Sequence, residues 1–298
     1  MQSRRAFLRD LFLSFGILAF GAADGAELPV FQGRDKFNSI IQKALANNWV
    51  SLPIGDLMGM IAREFLGTPY KGGTLEISAD QEVCSANLMV LDCVTFFETT
   101  LDLARMLKTG GRTESKLLAQ INFTRYRGGT ITDYSSRLHY TTDWFVDNQK
   151  KHVVQLLSHL PGSQPFTQKV GFMTSHPDLY PAFAKHPLLI PKMKQHEDLI
   201  NQSTLTYVPM NKLHLAEPLL KTGDIVGVCT TETGLDIAHT GLVLRDKDGV
   251  AHFMDASSKK GVMKVVIEPG QISHAFTWSK KLTGAMFARP LEPRSNFS

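Results

Sequence analysis

Leu91-Asp92-Cys93-Val94-Thr95-Phe96 is the stretch on which the fold turns. A short run from Asn87 to Val90 leads into it, and a mixed apolar and polar segment from Cys93 to Leu107 follows and closes at Gly110-Gly111. The change of pattern predicts a helix with Cys93 in or near its first turn. The unpaired N–H groups and the dipole of a helix start favour thiolate over thiol. A cysteine placed there is a candidate nucleophile for acyl transfer. Beside Leu91 and Val94 it also reads as a core residue, so the surrounding sequence has to decide.

On the N-terminal side, Ile40 to Ala46 and Gly55 to Leu66 read as amphipathic helices. In the second, Leu57, Ile61 and Phe65 recur with Met58 and Ala62 at helical spacing. Gly67 stops that helix and Pro69 follows, and 67–80 is loop-like with Gly72-Gly73. On the C-terminal side the period changes after Gly223. Ile225–Cys229, Thr240–Leu244, Ala251–Asp255, Met263–Ile267 and Ala285–Arg289 are short β-favourable runs separated by turns, notably Asp246-Lys247-Asp248-Gly249. Close spacing implies antiparallel hairpins. Helices first and an antiparallel sheet after them is an α+β layout. Residues 112–222 show no clear single period, no internal repeat and no low-complexity tract.

Three motifs then fall in one order. Residues 61–73, Ile-Ala-Arg-Glu-Phe-Leu-Gly-Thr-Pro-Tyr-Lys-Gly-Gly, resemble the segment that precedes the nucleophile in NlpC-type cell-wall peptidases, which are papain-like. Asp92-Cys93 resembles the pair that opens their catalytic helix, although Val94-Thr95 replaces the usual Ser-Gly. Thr222-Gly223-Asp224-Ile225-Val226 and Ile237-Ala238-His239-Thr240-Gly241 resemble the family's Gly-Asp strand and its His-bearing strand. Phe253-Met254-Asp255-Ala256-Ser257 follows where the third polar residue stands. The resemblance covers about residues 55–105 and 220–290. It implies a papain-like α+β hydrolase domain over 27–298, with Cys93 as nucleophile, His239 as base and Asp255 as the group that orients the imidazole. Tyr70, at the Pro-Tyr position, is implied as a second oxyanion donor or a positioning group; a packed loop aromatic is the alternative. The family's third residue is often His, and Asp255 would do the same work by accepting from an imidazole N–H.

Strand alternation favours Asp255 over His252 as that third residue. The separation 255 − 239 = 16 is even, so in an even hairpin register the two side chains share a face. His252, at 252 − 239 = 13, would point away, and a slip of one residue would reverse the assignment. Of the ten histidines, His152, His159, His186 and His196 read as solvated, and His176 before Pro177 as a turn residue.

From Cys93 to His239 there are 239 − 93 = 146 residues, more than the compact family pattern needs. The extra chain, about 108–222, is expected to cover or shape the cleft or to form a small subdomain. It carries Arg125-Tyr126-Arg127 and an Arg- and aromatic-rich run from Tyr134 to Trp144. Arginine forks suit carboxylates and aromatic faces suit sugars. Arg137, His139, Tyr140 and Trp144 are therefore candidate substrate contacts. The layout resembles the N-acetylmuramoyl-L-alanine amidase-like branch, which implies cleavage between the muramic lactyl group and the first L-Ala of peptidoglycan or a muropeptide. A stem-peptide endopeptidase cutting after D-Glu is the alternative. An acyltransferase on the same Cys–His pair and a non-catalytic wall-binding module are rivals of other classes. A zinc amidase is disfavoured because no coherent His/Asp/Glu ligand set appears, and neither metal nor cofactor is implied.

Composition bounds the rest. The chain has 298 residues, 43% of them hydrophobic and 20% charged, enough for a full core. A net charge of +4 with no dense basic stripe does not point to nucleic acid. The three cysteines are Cys84, Cys93 and Cys229, so one at least lacks an intrachain partner. Cys84 and Cys229 read as small buried residues, with a disulfide between them as the alternative. Residues 1–26 read as an export signal. Arg4, Arg5 and Arg9 precede an apolar stretch from Leu11 to Phe20, and small residues follow. Ser3-Arg4-Arg5-Ala6-Phe7-Leu8 resembles the twin-arginine signal. The apolar stretch is shorter than the ~20 residues a stable span requires. The expected location is the periplasm of a Gram-negative bacterium.

Overall fold

The structure, a computed structural model, describes residues 30–294. The export signal expected over 1–26 lies outside the described residues. Among the described residues there are six helices of ten or more residues: α1 (Arg34–Ala46), α2 (Ile54–Glu64), α3 (Cys93–Lys108), α4 (Glu114–Arg125), α5 (Thr141–Lys150) and α6 (Leu189–Gln202). Strands β1 (Phe31–Gln32) and β2 (Ala86–Asn87) form a small parallel pair. The remaining strands are β3 (Val154–Leu156), β4 (Gln164–Pro165), β5 (Thr206–Pro209), β6 (Ile225–Thr230), β7 (Ile237–Arg245), β8 (Ala251–Ser257), β9 (Lys264–Ile267) and β10 (Leu282–Pro290). They build one antiparallel sheet in the order β4-β5-β10-β6-β7-β8-β9, with β3 also on β10. The protein is thus mixed α+β, as its pattern of periods predicts.

Helix α3 starts where the sequence changes character because Asp92 caps it. The Thr95 backbone N–H donates to Asp92 Oδ1 at 2.7 Å, and the Asp92 backbone N–H donates to Thr95 Oγ1 at 2.9 Å. This reciprocal box satisfies two donors that a helix start would otherwise leave open. The helix is buried almost all round and ends with Arg105 and Lys108 in its last turn, where cations complement the dipole. Helix α2 packs on it and buries Leu57, Met58, Ile61 and Ala62, the face its spacing predicts.

The sheet is covered on both faces. Leu242, Leu244, Met254 and Ala256 share a core with Phe96, Phe97 and Leu101 of α3. Val226, Val243, Phe253 and Phe287 face a second cluster with Ile272 and Phe276. Strand β6 is anchored to α2 by a close backbone approach. A Cβ at Gly223, whose φ is +86°, would lie 2.5 Å from the Gly55 Cα, so neither residue could carry a side chain without displacing the other element. Asp224 beside it accepts both Nε and Nη2 of Arg289, each at 2.8 Å, which ties β6 to β10.

The segment 108–222 is woven into this body. Helices α4 and α5 lie against α3 and each other, and β3 and β5 extend the sheet along β10. Tyr134, Tyr140, Phe172, Phe183, Met193 and neighbours form a satellite core around α6. The absence of one period over these residues follows from that mixture of separate helices, tight turns and edge strands, through which no single repeat runs.

Candidate active site

The Cys93 thiol sits at the first residue of α3. The imidazole that meets it comes from β7. His239 Nε2 lies 2.7 Å from Asp255 Oδ2, which leaves Nδ1 for the hydrogen bond between the ring and Cys93. Met254 stands opposite Leu242 in the β7–β8 ladder. Continuing that register sets Asp255 across from Gly241, one pair along from His239 on the same face. The two residues are therefore diagonal neighbours. A Cβ at Gly241 would come within 2.6 Å of the Phe253 ring and 2.5 Å of the Met254 carbonyl oxygen, so the missing side chain leaves room for the Phe253 ring, which stands 6.1 Å from the imidazole. The β6–β7 pairing shifts by one residue just before the histidine: His239 pairs Val228, and Ile237 pairs Cys229. A bulge of this kind re-aims the side chain that follows it. His252 points elsewhere, with Nε2 3.0 Å from Asp246 Oδ2.

Electrostatics holds this imidazole charged. Burial alone would push His239 down. The charge of Cys93 and hydrogen bonds to Asp255 and to Cys93 outweigh it and raise the ring to about 10. An imidazole that stays charged at neutral pH beside the Cys93 sulfur is the arrangement that this balance favours. Asp255 is buried, and its second oxygen, Oδ1, has no hydrogen-bond partner among the described residues. The other two cysteines differ. Burial pushes the Cys84 thiol up to about 11, and it pushes Cys229 well above its ordinary value. All three cysteines are free, so the Cys84–Cys229 disulfide is not formed.

Tyr70 is brought to the same end of α3. It bridges Leu91, two residues before the thiol, and its backbone N–H donates to Met263 O at 2.9 Å. The loop that carries it is stitched to β9 by Val265 N to Thr68 O at 2.8 Å and Gly67 N to Val265 O at 2.9 Å.

The four residues expected to touch substrate are placed differently. Trp144 is 1% exposed; its indole N–H donates to Glu98 Oε1 at 3.0 Å and its ring stands edge-to-face on Phe97 at 5.0 Å. Tyr140 is buried and its hydroxyl donates to Glu197 Oε1 at 2.8 Å. Arg137 is buried on Glu76 and Glu82 with its guanidinium over the Tyr134 ring. His139 Nε2 meets the Tyr134 carbonyl at 2.8 Å. Their polar atoms are spent inside the protein, so as placed they support the scaffold. Arginine and aromatic richness marked this run as chemical because the same groups that bind sugars and carboxylates also satisfy buried acids.

The sequence reading missed three features. One is the support under α3: Glu98 also accepts Arg125 Nε at 2.8 Å, and Arg125 Nη1 donates to Ser85 O at 2.7 Å. Another is Trp278, whose ring lies 5.7 Å from His239, edge to face. It stands 278 − 239 = 39 residues from the histidine in a loop, where no spacing signals it. The reciprocal Asp92–Thr95 cap was likewise not read from the sequence, which gave only the start of the helix near Cys93. Among the described residues no group of three His, Cys, Asp or Glu side chains is arranged to hold a metal ion, and no helix is long and apolar enough to cross a membrane.

Comparison with known proteins agrees with this architecture. A Bacteroides uniformis N-acetylmuramoyl-L-alanine amidase is 29% identical, with a TM-score of 0.71 over 80% of this chain and 98% of its own. A Bacteroides fragilis protein, provisionally named as a xylanase, is 31% identical with a TM-score of 0.68 over 76% of this chain and 98% of its own. A Legionella pneumophila protein at 20% identity and a TM-score of 0.61, over 86% of this chain and 95% of its own, shares the fold. No curated protein matches the chain. The sequence pattern of the N-acetylmuramoyl-L-alanine amidase-like family matches residues 60–271, so the chain belongs to that family.

Proposed function

We propose that this protein is a papain-like cysteine amidase that cuts the bond between the muramic lactyl carbonyl and the first L-Ala of peptidoglycan or its fragments. The observation that carries the reading is the imidazole held between a helix-start thiol and a buried carboxylate. In the first half-reaction the Cys93 thiolate attacks the lactyl carbonyl. His239, protonated at Nδ1, gives its proton to the departing L-Ala nitrogen as the C–N bond breaks and a thioester remains. In the second half, neutral His239 takes a proton from water as that water attacks the thioester. The carboxylic acid leaves and the thiolate–imidazolium pair is restored. Asp255 fixes the ring and balances its charge throughout. The Cys93 backbone N–H, at the positive end of α3, would hold the tetrahedral oxyanion, and Tyr70 is the candidate for the second donor.

The wall substrate agrees with the family and with the Bacteroides uniformis amidase. The name of the Bacteroides fragilis relative suggests a glycosidase instead. That chemistry needs two carboxyl groups flanking the sugar bond, whereas Asp255 is engaged by His239. Delivery to the periplasm through the leader at 1–26 completes the proposal.

Mass spectrometry of a muropeptide after incubation with the mature protein tests it. The expected products are the free N-acetylmuramic acid unit and an intact peptide beginning with L-Ala, and the same peptide without sugar should be a poor substrate. Cleavage of the sugar-free peptide after D-Glu, at an equal or better rate, overturns the amidase reading in favour of a stem-peptide endopeptidase.

A further inference from the structure

Trp278 is the one aromatic among the exposed large apolar side chains of the described residues, and it stands against the His239 ring. It is 37% exposed, so part of the ring stays open to solvent. Nothing about it is loose. Phe276, itself buried, meets it edge to face at 5.7 Å. The Lys259 ammonium lies 5.2 Å from its ring centre and is held in turn by Glu268 Oε1 at 2.6 Å. The ring is thus fixed from two directions and still presents area to solvent one imidazole away from the thiol.

We infer that Trp278 is the sugar-binding face of the active site, on which the pyranose ring of the muramic unit stacks while its lactyl carbonyl lies at Cys93. This rests on the amidase reading above. The chemistry of that substrate sets the reach: one ether oxygen and one carbon separate the sugar ring from the scissile carbonyl. A sugar attached so closely must lie beside the imidazole, and Trp278 occupies that place. Its aromatic face suits the C–H surface of a pyranose, and being held in advance lowers the ordering cost of binding. The buried Trp144 and Tyr140 do not offer such a face.

The test separates sugar binding from cleavage by using the full mature chain as Cys93→Ala. Calorimetry would compare N-acetylmuramoyl-L-alanyl-D-isoglutamine with L-alanyl-D-isoglutamine. The sugar-bearing ligand should bind on the order of tenfold tighter, equivalent to ~1.4 kcal/mol. Adding Trp278→Ala should remove most of that advantage and leave the dipeptide affinity unchanged. Trp278→Leu keeps apolar bulk without a ring face and should lose the advantage too, which preserves the test if the alanine variant melts. An advantage that survives both variants overturns the inference, as does no advantage in the protein that retains Trp278. Equal loss for both ligands would also overturn it, because that marks a residue that merely props up His239. Which bond is cut is read separately from the muropeptide products, so the two readings can fail independently.

Discussion

Trp144→Phe distinguishes support from substrate contact at the residue where the two were easiest to confuse. The indole is 1% exposed and its N–H is given to Glu98 Oε1 at 3.0 Å. Phenylalanine keeps most of the ring against Phe97 but withdraws the donor. Leaving a buried carboxylate oxygen short of a partner costs about 1–3 kcal/mol. The smaller ring adds about 1 kcal/mol for the space left behind, well below the ~3–5 kcal/mol of truncation to alanine. The sum is about 2–4 kcal/mol. At roughly 2–4 °C per kcal/mol for a chain of this size, the melting temperature should fall by about 5–15 °C. Circular dichroism would follow the melt, and kcat/KM on a muramoyl peptide would be measured well below it, where the variant should work within about twofold of the parent. An unchanged melting temperature with a tenfold lower kcat/KM would refute the reasoning and return Trp144 to the substrate.

Four further outcomes are expected. Asp255→Asn should keep the fold and lower kcat by at least tenfold, because the imidazolium loses its charged partner; His252→Ala should be mild, and the reverse ranking would reassign the third catalytic position. Iodoacetamide at neutral pH should label Cys93 well before Cys84 or Cys229, whose thiols burial pushes up; early labelling of Cys84 would contradict the assignment. Burial first, and then the charge of Glu98, pushes Asp102 up to about 7 from an ordinary 3.8. The stability contributed by its protonated form is therefore full below about pH 4 and is lost as pH rises through about 7, by up to ~4 kcal/mol. Asp102→Asn should flatten that slope in urea melts between pH 4 and 8, and an unchanged slope would place the proton elsewhere. Arg4→Lys combined with Arg5→Lys should block delivery to the periplasm if the twin-arginine route is used, a question that fractionation answers directly.

What the sequence made legible was local. The start of α3 near Cys93, the face of α2 and the strand runs around His239 each follow from a few neighbouring residues with a strong period or a change of pattern. The parity argument that paired His239 with Asp255 needs only alternation and an even register, and the 2.7 Å contact meets it. What stayed hidden depends on distance along the chain. Trp278 approaches His239 from a separate loop, and the Ala238 bulge that re-aims the histidine has no composition of its own. Trp144 and Arg137 were visible as residues but not in their roles, since an aromatic N–H or a guanidinium looks the same whether it faces a sugar or a buried glutamate.

Glu98 gives the long segment between Cys93 and His239 a consequence for how this protein can change. It lies on α3 only five positions after Cys93, and both groups that hold its carboxylate, Arg125 and Trp144, come from that segment. Pruning the chain to a compact core would strip a buried carboxylate on α3 of both partners, a loss on the order of several kcal/mol. The excursion is consequently no longer an ornament that deletion can reverse. Glu98→Leu made alone would not open the way, because it leaves the Arg125 guanidinium buried with the Ser85 carbonyl but without its carboxylate, so a shortened descendant must lose both charges together. One buried ion pair binds the two changes into a single step.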